Sequence, residues 1–226
     1  ALELKPGTST GKKIAVIGAG PGGLSVAYFL RLKGHEVNVY DALPGGGGTM
    51  RTGPPVYRLP LESIDKDVHY IRSLGVEFIF NTRIGKDVMF EDLLKGNDAV
   101  FIATGNTKSR STKVNNYEKC ELALEFLSDN KIGKPRKVGK EIIVIGGGNV
   151  AIDVAREALR LQNIQHPGEN AAVKTVSLED WHEMPATKEE IEEAKEEKIQ
   201  FNPAWGPKEV VLDNDGNVKG LSLIHI

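Results

Sequence analysis

The sequence has little of what several classes of protein need. Its single cysteine, Cys120, excludes an internal disulfide, a C-x-x-C redox pair and an iron–sulfur site built from this chain alone. Its apolar runs reach only about six residues, far short of the roughly 20 that a membrane-spanning helix needs. Its five histidines show no paired spacing, so we nominate no metal ligand. No basic patch stands out at a net charge of −2, so we expect no nucleic-acid partner.

What remains is the composition of an ordinary globular protein, with 226 residues, 40% hydrophobic and 27% charged. A lone cysteine indicates a reducing compartment, so we expect a cytoplasmic protein with no membrane insertion. We interpret Cys120 as a small core residue rather than a nucleophile, because free cysteines are often buried.

The strongest signal lies in residues 12–41. Ile14–Ile17 is typical of a buried parallel strand, and it leads directly into residues 18–23, which have the pattern G-x-G-x-x-G. A helical pattern follows and ends at Gly34, and a second strand at residues 37–40 ends at Asp41. Strand, turn, helix, strand and acid in this order indicate a dinucleotide-binding fold, whereas a glycine-rich turn without a ligand is the alternative.

Each glycine of this motif answers a physical demand. Gly18 permits a tight turn, Gly20 lets the backbone approach a pyrophosphate, and Gly23 lets the helix pack close to the strand. The helix N-terminus offers unpaired N–H groups to the phosphates. Asp41 can accept hydrogen bonds from a ribose.

The same pattern occurs a second time. Residues 141–145 form a second buried strand, residues 146–151 read G-x-G-x-x-A, and a helical pattern continues through Leu159. Residues 173–177 form the following strand. Two such folds in one chain suggest two dinucleotides, one of which delivers electrons to the other.

Alternating strands and helices elsewhere predict an α/β chain with parallel sheets. The glycine- and proline-rich segment 43–60 predicts neither helix nor strand; it is either a mobile surface loop or a loop that wraps a ligand. In the glutamate-rich helix that we expect from Pro185, a solvated face is favoured over a metal site. The other predicted elements are helices at 61–74, 90–95 and 116–130, strands at 76–80 and 98–103, and a hairpin of 208–212 with 218–223.

Six stretches of the sequence carry a family resemblance. They are GKKIAVIGAGPGGL (11–24), GGTMRTGPPVYRLP (47–60), SLGVEF (73–78), DAVFIATG (98–105), IIVIGGGNVAIDVAR (142–156) and EMPATKEEIEEA (183–194). In this order they are similar to the small-subunit family of NADPH-dependent glutamate synthase, which includes the flavin and nucleotide domains of dihydropyrimidine dehydrogenase and related transhydrogenases.

The resemblance implies two Rossmann-like folds. It divides the chain into a linker (1–11), an FAD-binding domain (12–115), a helical connector (116–140) and an NAD(P)-binding domain (141–226). The FAD fold is expected to be incomplete at its C-terminus, because the segment that returns to it in the family is missing. The last six residues, 221–226, also match the translation of a common transposon-adapter sequence, so we expect them to be non-native and the chain to be a fragment.

The resemblance also implies cofactor contacts. Those to FAD are Gly18, Gly20, Pro21, Gly22, Gly23, Asp41, Ala42, Gly47, Gly48, Thr49, Arg58, Ile84, Ala103, Thr104 and Gly105. Those to NADH or NADPH are Gly146, Gly147, Gly148, Asn149, Val150 and Glu179. NADPH-using members carry arginines after the second strand of the second fold, whereas this sequence has Leu-Glu-Asp-Trp at 178–181. A carboxylate there favours NADH.

The implied function is a flavin-dependent oxidoreductase that passes a hydride from NAD(P)H, with NADH preferred, to FAD. Electrons then move on to iron–sulfur centres, in an additional domain or in a partner electron-transfer subunit. The cofactors carry the chemistry, so we nominate no catalytic side chain. The alternative is a non-catalytic nucleotide-binding scaffold or regulatory subunit.

Overall fold

The computed structural model describes residues 5–106, 113–169 and 172–226. The first four residues of the predicted linker, residues 107–112 of the predicted first domain and residues 170–171 lie outside the described residues. The chain divides into two compact units, Ala1–Thr107 and Lys108–Ile226.

A four-stranded parallel sheet forms the centre of the first unit. Its strands are β1 (Lys13–Ile17), β2 (Glu36–Tyr40), β3 (Glu77–Ile79) and β4 (Ala99–Ile102), in the order β3-β2-β1-β4. The register places Val16 opposite both Val39 and Phe101. Because every strand is parallel, all four carboxyl ends meet at one edge of the sheet, and the first glycine turn lies there.

The helices of the first unit bury its sheet on both faces. They are α1 (Pro21–Leu32), α2 (Thr49–Thr52), α3 (Leu61–Ser73) and α4 (Phe90–Gly96). Ile64 and Val68 of α3 pack with Val37 and Val39 of the sheet, whereas Leu93 of α4 covers the opposite face. Burying each of these side chains stabilises the fold by about 2 kcal/mol.

Part of the predicted linker packs on the end of α1. The Gly7 N–H donates to the Arg31 carbonyl (3.4 Å), and the Thr10 N–H donates to the Gly34 carbonyl (3.1 Å). Gly34 has φ +90°, and a Cβ there would stand 1.8 Å from the Thr8 carbonyl oxygen. Residues 7–10 are therefore held against the first unit by close backbone contact.

The second unit contains a parallel sheet and a separate hairpin. The sheet consists of β5 (Glu141–Ile145), β6 (Ala172–Val176) and β7 (Gln200–Asn202) in that order, and β8 (Trp205–Leu212) pairs antiparallel with β9 (Val218–His225). The helices are α5 (Ala123–Lys131), α6 (Asn149–Gln165) and α7 (Lys188–Glu196). The core forms where Ile152 of α6 packs with Val173 of β6 and Ile191 of α7.

Five local predictions need correction. The loop 43–60 contains a helical turn, α2, and the helix predicted at 116–130 is a short 3₁₀ turn (Tyr117–Lys119) followed by α5. Strand β7 was not predicted. α7 begins at Lys188 rather than at Pro185. Cys120 is half-buried rather than part of the core, and burial raises the pKa of its thiol, with a smaller contribution from Glu118.

None of the described helices is long and apolar enough to cross a membrane. Among the described residues, no group of histidine, cysteine and acidic side chains could hold a metal ion.

Candidate functional site

The first glycine turn lies where β1, β2 and β4 end. The Gly18 N–H donates to the Tyr40 carbonyl (2.7 Å), and the Ala103 N–H donates to the Ile17 carbonyl (2.7 Å). Gly18 has φ +105°, and a Cβ on it would stand 2.3 Å from the Ala103 carbonyl oxygen. The fold therefore requires glycine at position 18. The predicted residues Gly18 and Ala103 lie together at this turn.

The turn delivers α1 close to the sheet. Gly20 caps the helix, Pro21 occupies its first position, and a Cβ on Gly23 would stand 1.8 Å from the Gly18 carbonyl oxygen. A Cβ on Gly22 would meet nothing within 4 Å. The start of α1, where the first N–H groups have no partner within the helix, therefore lies beside open space at Gly22, as a phosphate-binding helix start does.

A second glycine-rich segment packs against this turn. The Gly47 N–H donates to the Ala19 carbonyl (2.7 Å), and a Cβ on Gly48 would stand 2.7 Å from the Gly20 Cα. Both Gly47 (φ +120°) and Gly48 (φ +52°) have left-handed backbone conformations. The structure therefore brings two predicted contacts from a distant loop beside the first motif.

Asp41 is oriented by the turn itself. One carboxylate oxygen accepts the Ala19 N–H (2.6 Å) and the other accepts the Leu43 N–H (2.8 Å). Each carboxylate oxygen has two acceptor sites, so both can still receive a ribose hydroxyl. Asp41 shapes the glycine turn in addition to its predicted role.

Arg51 is a functional candidate that the sequence did not single out. Its Nε donates to the Gly46 carbonyl (2.6 Å), and its guanidinium also pairs with Asp65 of α3. Arg51 therefore ties the Gly45–Gly48 loop to a helix. The only signal in the sequence was that arginines are interleaved through a glycine-rich loop.

The remaining predicted contacts of the first unit are less closely grouped. Ile84 forms an isolated bridge with Val88 and packs with the cluster around Leu93. The Arg58 N–H donates to the Pro55 carbonyl (3.0 Å), and its guanidinium lies 5.8 Å from the Tyr57 ring centroid. Other predicted residues lie in sequence beside the turn or loop: Ala42, Thr49, Thr104 and Gly105.

The second glycine turn follows β5 in the same way. The Gly146 N–H donates to the Val176 carbonyl (2.8 Å), and Gly146 has φ +141°. Gly148 caps α6, and a Cβ on it would meet nothing within 4 Å. Asn149 and the exposed Val150 are the first residues of α6. The helix start again opens onto free space beside a glycine.

Glu179 lies against this turn. A Cβ on Gly147 would stand 2.9 Å from Ser177 Cβ and 3.1 Å from Glu179 Oε2. The Ser177 hydroxyl donates to the Glu179 carbonyl (2.9 Å) and fixes the backbone there. The structure thus brings the predicted ribose acceptor to the predicted pyrophosphate turn.

Asp180 points into its own local turn. Its Oδ1 accepts the His182 N–H (2.7 Å) and the Glu183 N–H (3.0 Å), and these hydrogen bonds lower the pKa of the carboxyl. Next to it, the Trp181 ring packs on Phe201 and under the Lys195 ammonium, which lies 4.6 Å from the ring centroid.

The glutamates of α7 are only partly a solvated face, which corrects that prediction. Arg156 of α6 is buried, and its guanidinium binds Glu193 and Glu197. Arg160 also binds Glu197 (2.8 Å). This ion-pair cluster fastens α7 to α6.

Two parallel sheets, each followed at its carboxyl edge by a glycine turn and a helix start, form an α/β arrangement of the kind that binds nucleotides. Residues 12–222 match the family described as "Pyridine nucleotide-disulphide oxidoreductase", and the chain belongs to that family. Its single cysteine means that this chain carries no dithiol pair of its own.

Among curated proteins, the chain is 37% identical over 234 aligned residues to NADPH-Fe(3+) oxidoreductase subunit beta of Geobacter sulfurreducens, covering 100% of this chain and 34% of that protein. It is 32% identical to the glutamate synthase [NADPH] small chain of Escherichia coli, covering 96% and 47%. It is also 32% identical to NAD-dependent dihydropyrimidine dehydrogenase subunit PreT of Escherichia coli O157:H7, covering 90% and 48%. The resemblance stated from the sequence is confirmed.

The chain therefore spans between about a third and a half of these relatives. Among solved structures, Mycobacterium tuberculosis FprA in complex with NADPH matches with a TM-score of 0.77 at 18% identity, covering 94% of this chain and 63% of that one. Thioredoxin reductase of T. acidophilum matches with a TM-score of 0.67 at 16% identity, covering 94% and 70%. These likenesses show the fold.

Proposed function

We propose that this chain is the nucleotide-binding part of a flavin-dependent oxidoreductase. The first unit binds FAD, the second binds NADH, and electrons leave through iron–sulfur centres or a partner subunit. The observation that carries the proposal is that both units place a glycine turn and an open helix start at the carboxyl edge of a parallel sheet. The boundaries proposed for the two nucleotide domains are 12–115 and 141–226.

The residues present fit the two nucleotides. At Gly22 and at Gly148 the space that a Cβ would occupy is open. Each glycine belongs to a turn or helix start whose N–H groups favour a phosphate group. Asp41 and Glu179 supply a carboxylate at each turn for a ribose. The other contacts named from the sequence are proposed on the same basis, with Asn149 contributing through its backbone.

When bound, the nicotinamide and the flavin supply the hydride transfer, and neither needs a protein nucleophile. The chain's own residues bind and orient them. Gly18 and Gly23 let α1 approach the first nucleotide, and Arg51 fixes the loop that covers it. Glu179 and Gly147 define the edge of the second site.

NADH is the proposed reductant because Glu179 lies at the turn and the residues around it, 178–181, include no cation. A carboxylate there accepts a hydrogen bond from the ribose 2′-hydroxyl and repels a 2′-phosphate. Two of the relatives above carry NADPH in their names and the third carries NAD. Cofactor choice therefore varies among the relatives, and Glu179 decides it here.

A partner is proposed because the relatives are named as subunits or chains of larger enzymes. The single cysteine excludes an iron–sulfur site within this chain, so electrons must leave to groups held elsewhere. The proposed location is the cytoplasm, since a lone thiol suits a reducing compartment.

Flavin content and its reduction test the proposal. The intact protein is purified, its flavin is released and identified, and the visible flavin band is followed while NADH is added without oxygen. We expect bound FAD whose band bleaches with NADH. A colourless protein that still binds NADH would support the scaffold instead.

A further inference from the structure

The segment Met184–Thr187, between β6 and α7, is attached to the second glycine turn. The Ala186 N–H donates to the Gly147 carbonyl (3.0 Å), and the Thr187 N–H donates to Asn149 Oδ1 (2.9 Å). These two hydrogen bonds join stretches about 38 residues apart in the chain. The side-chain oxygen of Asn149 is therefore engaged by the protein itself.

This attachment covers one side of the turn and leaves the other open. Met184 is buried, and its Cγ would lie 3.2 Å from a Cβ on Gly147. A Cβ on Gly148, the next residue, would meet nothing within 4 Å. A nucleotide must therefore approach at Gly148, with Met184–Thr187 as the wall behind the turn.

We infer that Asn149 is a positioning residue for the nicotinamide nucleotide. It acts through Thr187, because its Oδ1 keeps Met184–Thr187 in place as that wall. The inference rests on the proposed function of the second unit. Asn149 acts on the site by holding the wall in place.

The end of the wall that Asn149 binds also leads into α7. Thr187 caps this helix, since its hydroxyl accepts the Glu190 N–H (3.4 Å). Further along, Glu193 of α7 and Glu197, the C-cap residue just after it, bind the buried Arg156 of α6. The wall is therefore fixed at Asn149 on α6 and, through α7, to Arg156 on the same helix. Loss of the Asn149 contact removes one of the two hydrogen bonds that join the wall to the glycine turn, so the nucleotide must then order the segment when it binds.

Two substitutions break the same hydrogen bond from opposite sides. Asn149→Ala removes the acceptor. Thr187→Pro removes the donor, and Thr187 has φ −65°, the value that a proline ring fixes. Proline also removes the cap, so Thr187→Ala, which keeps the N–H but loses the hydroxyl, supplies the baseline for comparison.

In the intact protein we expect Asn149→Ala to raise KM for NADH about fivefold, the effect of one hydrogen bond, with kcat at saturating NADH nearly unchanged. Thr187→Pro should raise KM about fivefold above Thr187→Ala. The double variant should be no worse than Thr187→Pro alone, because both changes remove one interaction. The inference would be overturned if the effects of the two changes on KM multiplied in the double variant, or if Thr187→Pro had the same KM as Thr187→Ala. Asn149 would then be a direct contact.

Amide hydrogen exchange without nucleotide gives a readout independent of activity. Asn149→Ala should accelerate exchange at the Thr187 and Ala186 amides while leaving the α1 amides unchanged. Unchanged exchange at both amides would refute the role of Asn149 in holding the wall, even if KM rose. Accelerated exchange in a protein that does not bind NADH would support that role and refute the proposed function, so the two failures are distinguishable.

Discussion

The Glu179 carboxylate lies against Gly147, on the same side of the turn as Ser177 and the buried Met184. Its Oε2 lies 3.1 Å from the position that a Cβ on Gly147 would take. The end of β6 and the turn after β5 therefore form one surface, with an acid at its edge. In the proposed function, this acid beside the glycine motif selects the nucleotide.

Reversing the charge at Glu179 should change that choice. We expect Glu179→Arg with Asp180→Ser to shift the ratio of kcat/KM toward NADPH by roughly tenfold or more, since each interaction with a charged group is worth about 1.5–3 kcal/mol. Serine at 180 keeps an oxygen that can accept the His182 N–H, so the local turn survives. Asp180→Ser alone is the control. An unmutated intact protein with equal or better kcat/KM for NADPH would contradict the assignment.

Flavin retention should depend on Gly18. A Cβ at Gly18 would collide with the Ala103 carbonyl at 2.3 Å in a left-handed conformation, so we expect Gly18→Ala to distort the turn and abolish stable FAD binding. Gly96→Ala is the matched control, because a Cβ there meets nothing within 4 Å and its φ is negative. Bound flavin per protein after gel filtration is the measurement. Equal flavin content in the two variants would count against the first site.

Arg51 should hold the flavin loop. Arg51→Lys loses the Nε donor to the Gly46 carbonyl and should weaken FAD binding about tenfold, the effect expected for one charge-assisted hydrogen bond. Titration of FAD into the apoprotein gives the Kd. Arg83→Lys is the control, because Arg83 is exposed and only its backbone takes part in the described hydrogen bonds around it. An unchanged Kd for Arg51→Lys would remove Arg51 from the site.

The link between α6 and α7 should be sensitive to acid. Burial alone would raise the pKa of Glu197, but the hydrogen bonds and charges of Arg156 and Arg160 outweigh it and lower the pKa below its usual 4.5. The stabilisation is therefore present above pH 4.5 and is lost as the pH falls through the lowered value.

We accordingly expect Glu197→Gln to destabilise the protein by about 2 kcal/mol at neutral pH, with the difference from the unmutated protein shrinking as the pH falls below the ordinary glutamate range. Thermal unfolding across pH measures this. Glu196→Gln, at an exposed neighbour, is the control. A pH-independent difference would mean that the ion pairs do not carry the effect.

The sequence predicted the turns, helices and strands that local residue patterns determine. The glycine turns, α1, α3, α6 and the longer strands follow from apolar periodicity and from glycines with few alternatives. The start of α7 was missed although Thr187 and Glu190 form the T-x-x-E pattern that marks a helix start, and the Thr187 hydroxyl does accept the Glu190 N–H. Pro185 was taken as the first helical residue instead, a position that proline also favours. β7 is three residues long, too short for an alternating pattern to stand out.

The candidate site likewise contains residues that the sequence pointed to and residues that it did not. The residues of each fingerprint were nominated from the order of the motif, and the structure places both motifs at a glycine turn and a helix start. Arg51 and Arg156 were missed because their importance lies in partners, Gly46 with Asp65 and Glu193 with Glu197, that only the folded chain reveals. Motifs predict what touches a ligand more readily than what holds those residues in place.

The most direct test of the whole account is a single-turnover titration of the intact protein without oxygen. NADH and NADPH are each added stepwise while the flavin band is recorded. We predict that NADH in excess of all the electron acceptors of the intact protein bleaches the bound FAD, and that the rate constant for flavin reduction divided by the Kd is at least about tenfold lower for NADPH than for NADH. A flavin that stays oxidised while excess NADH is bound would contradict this prediction.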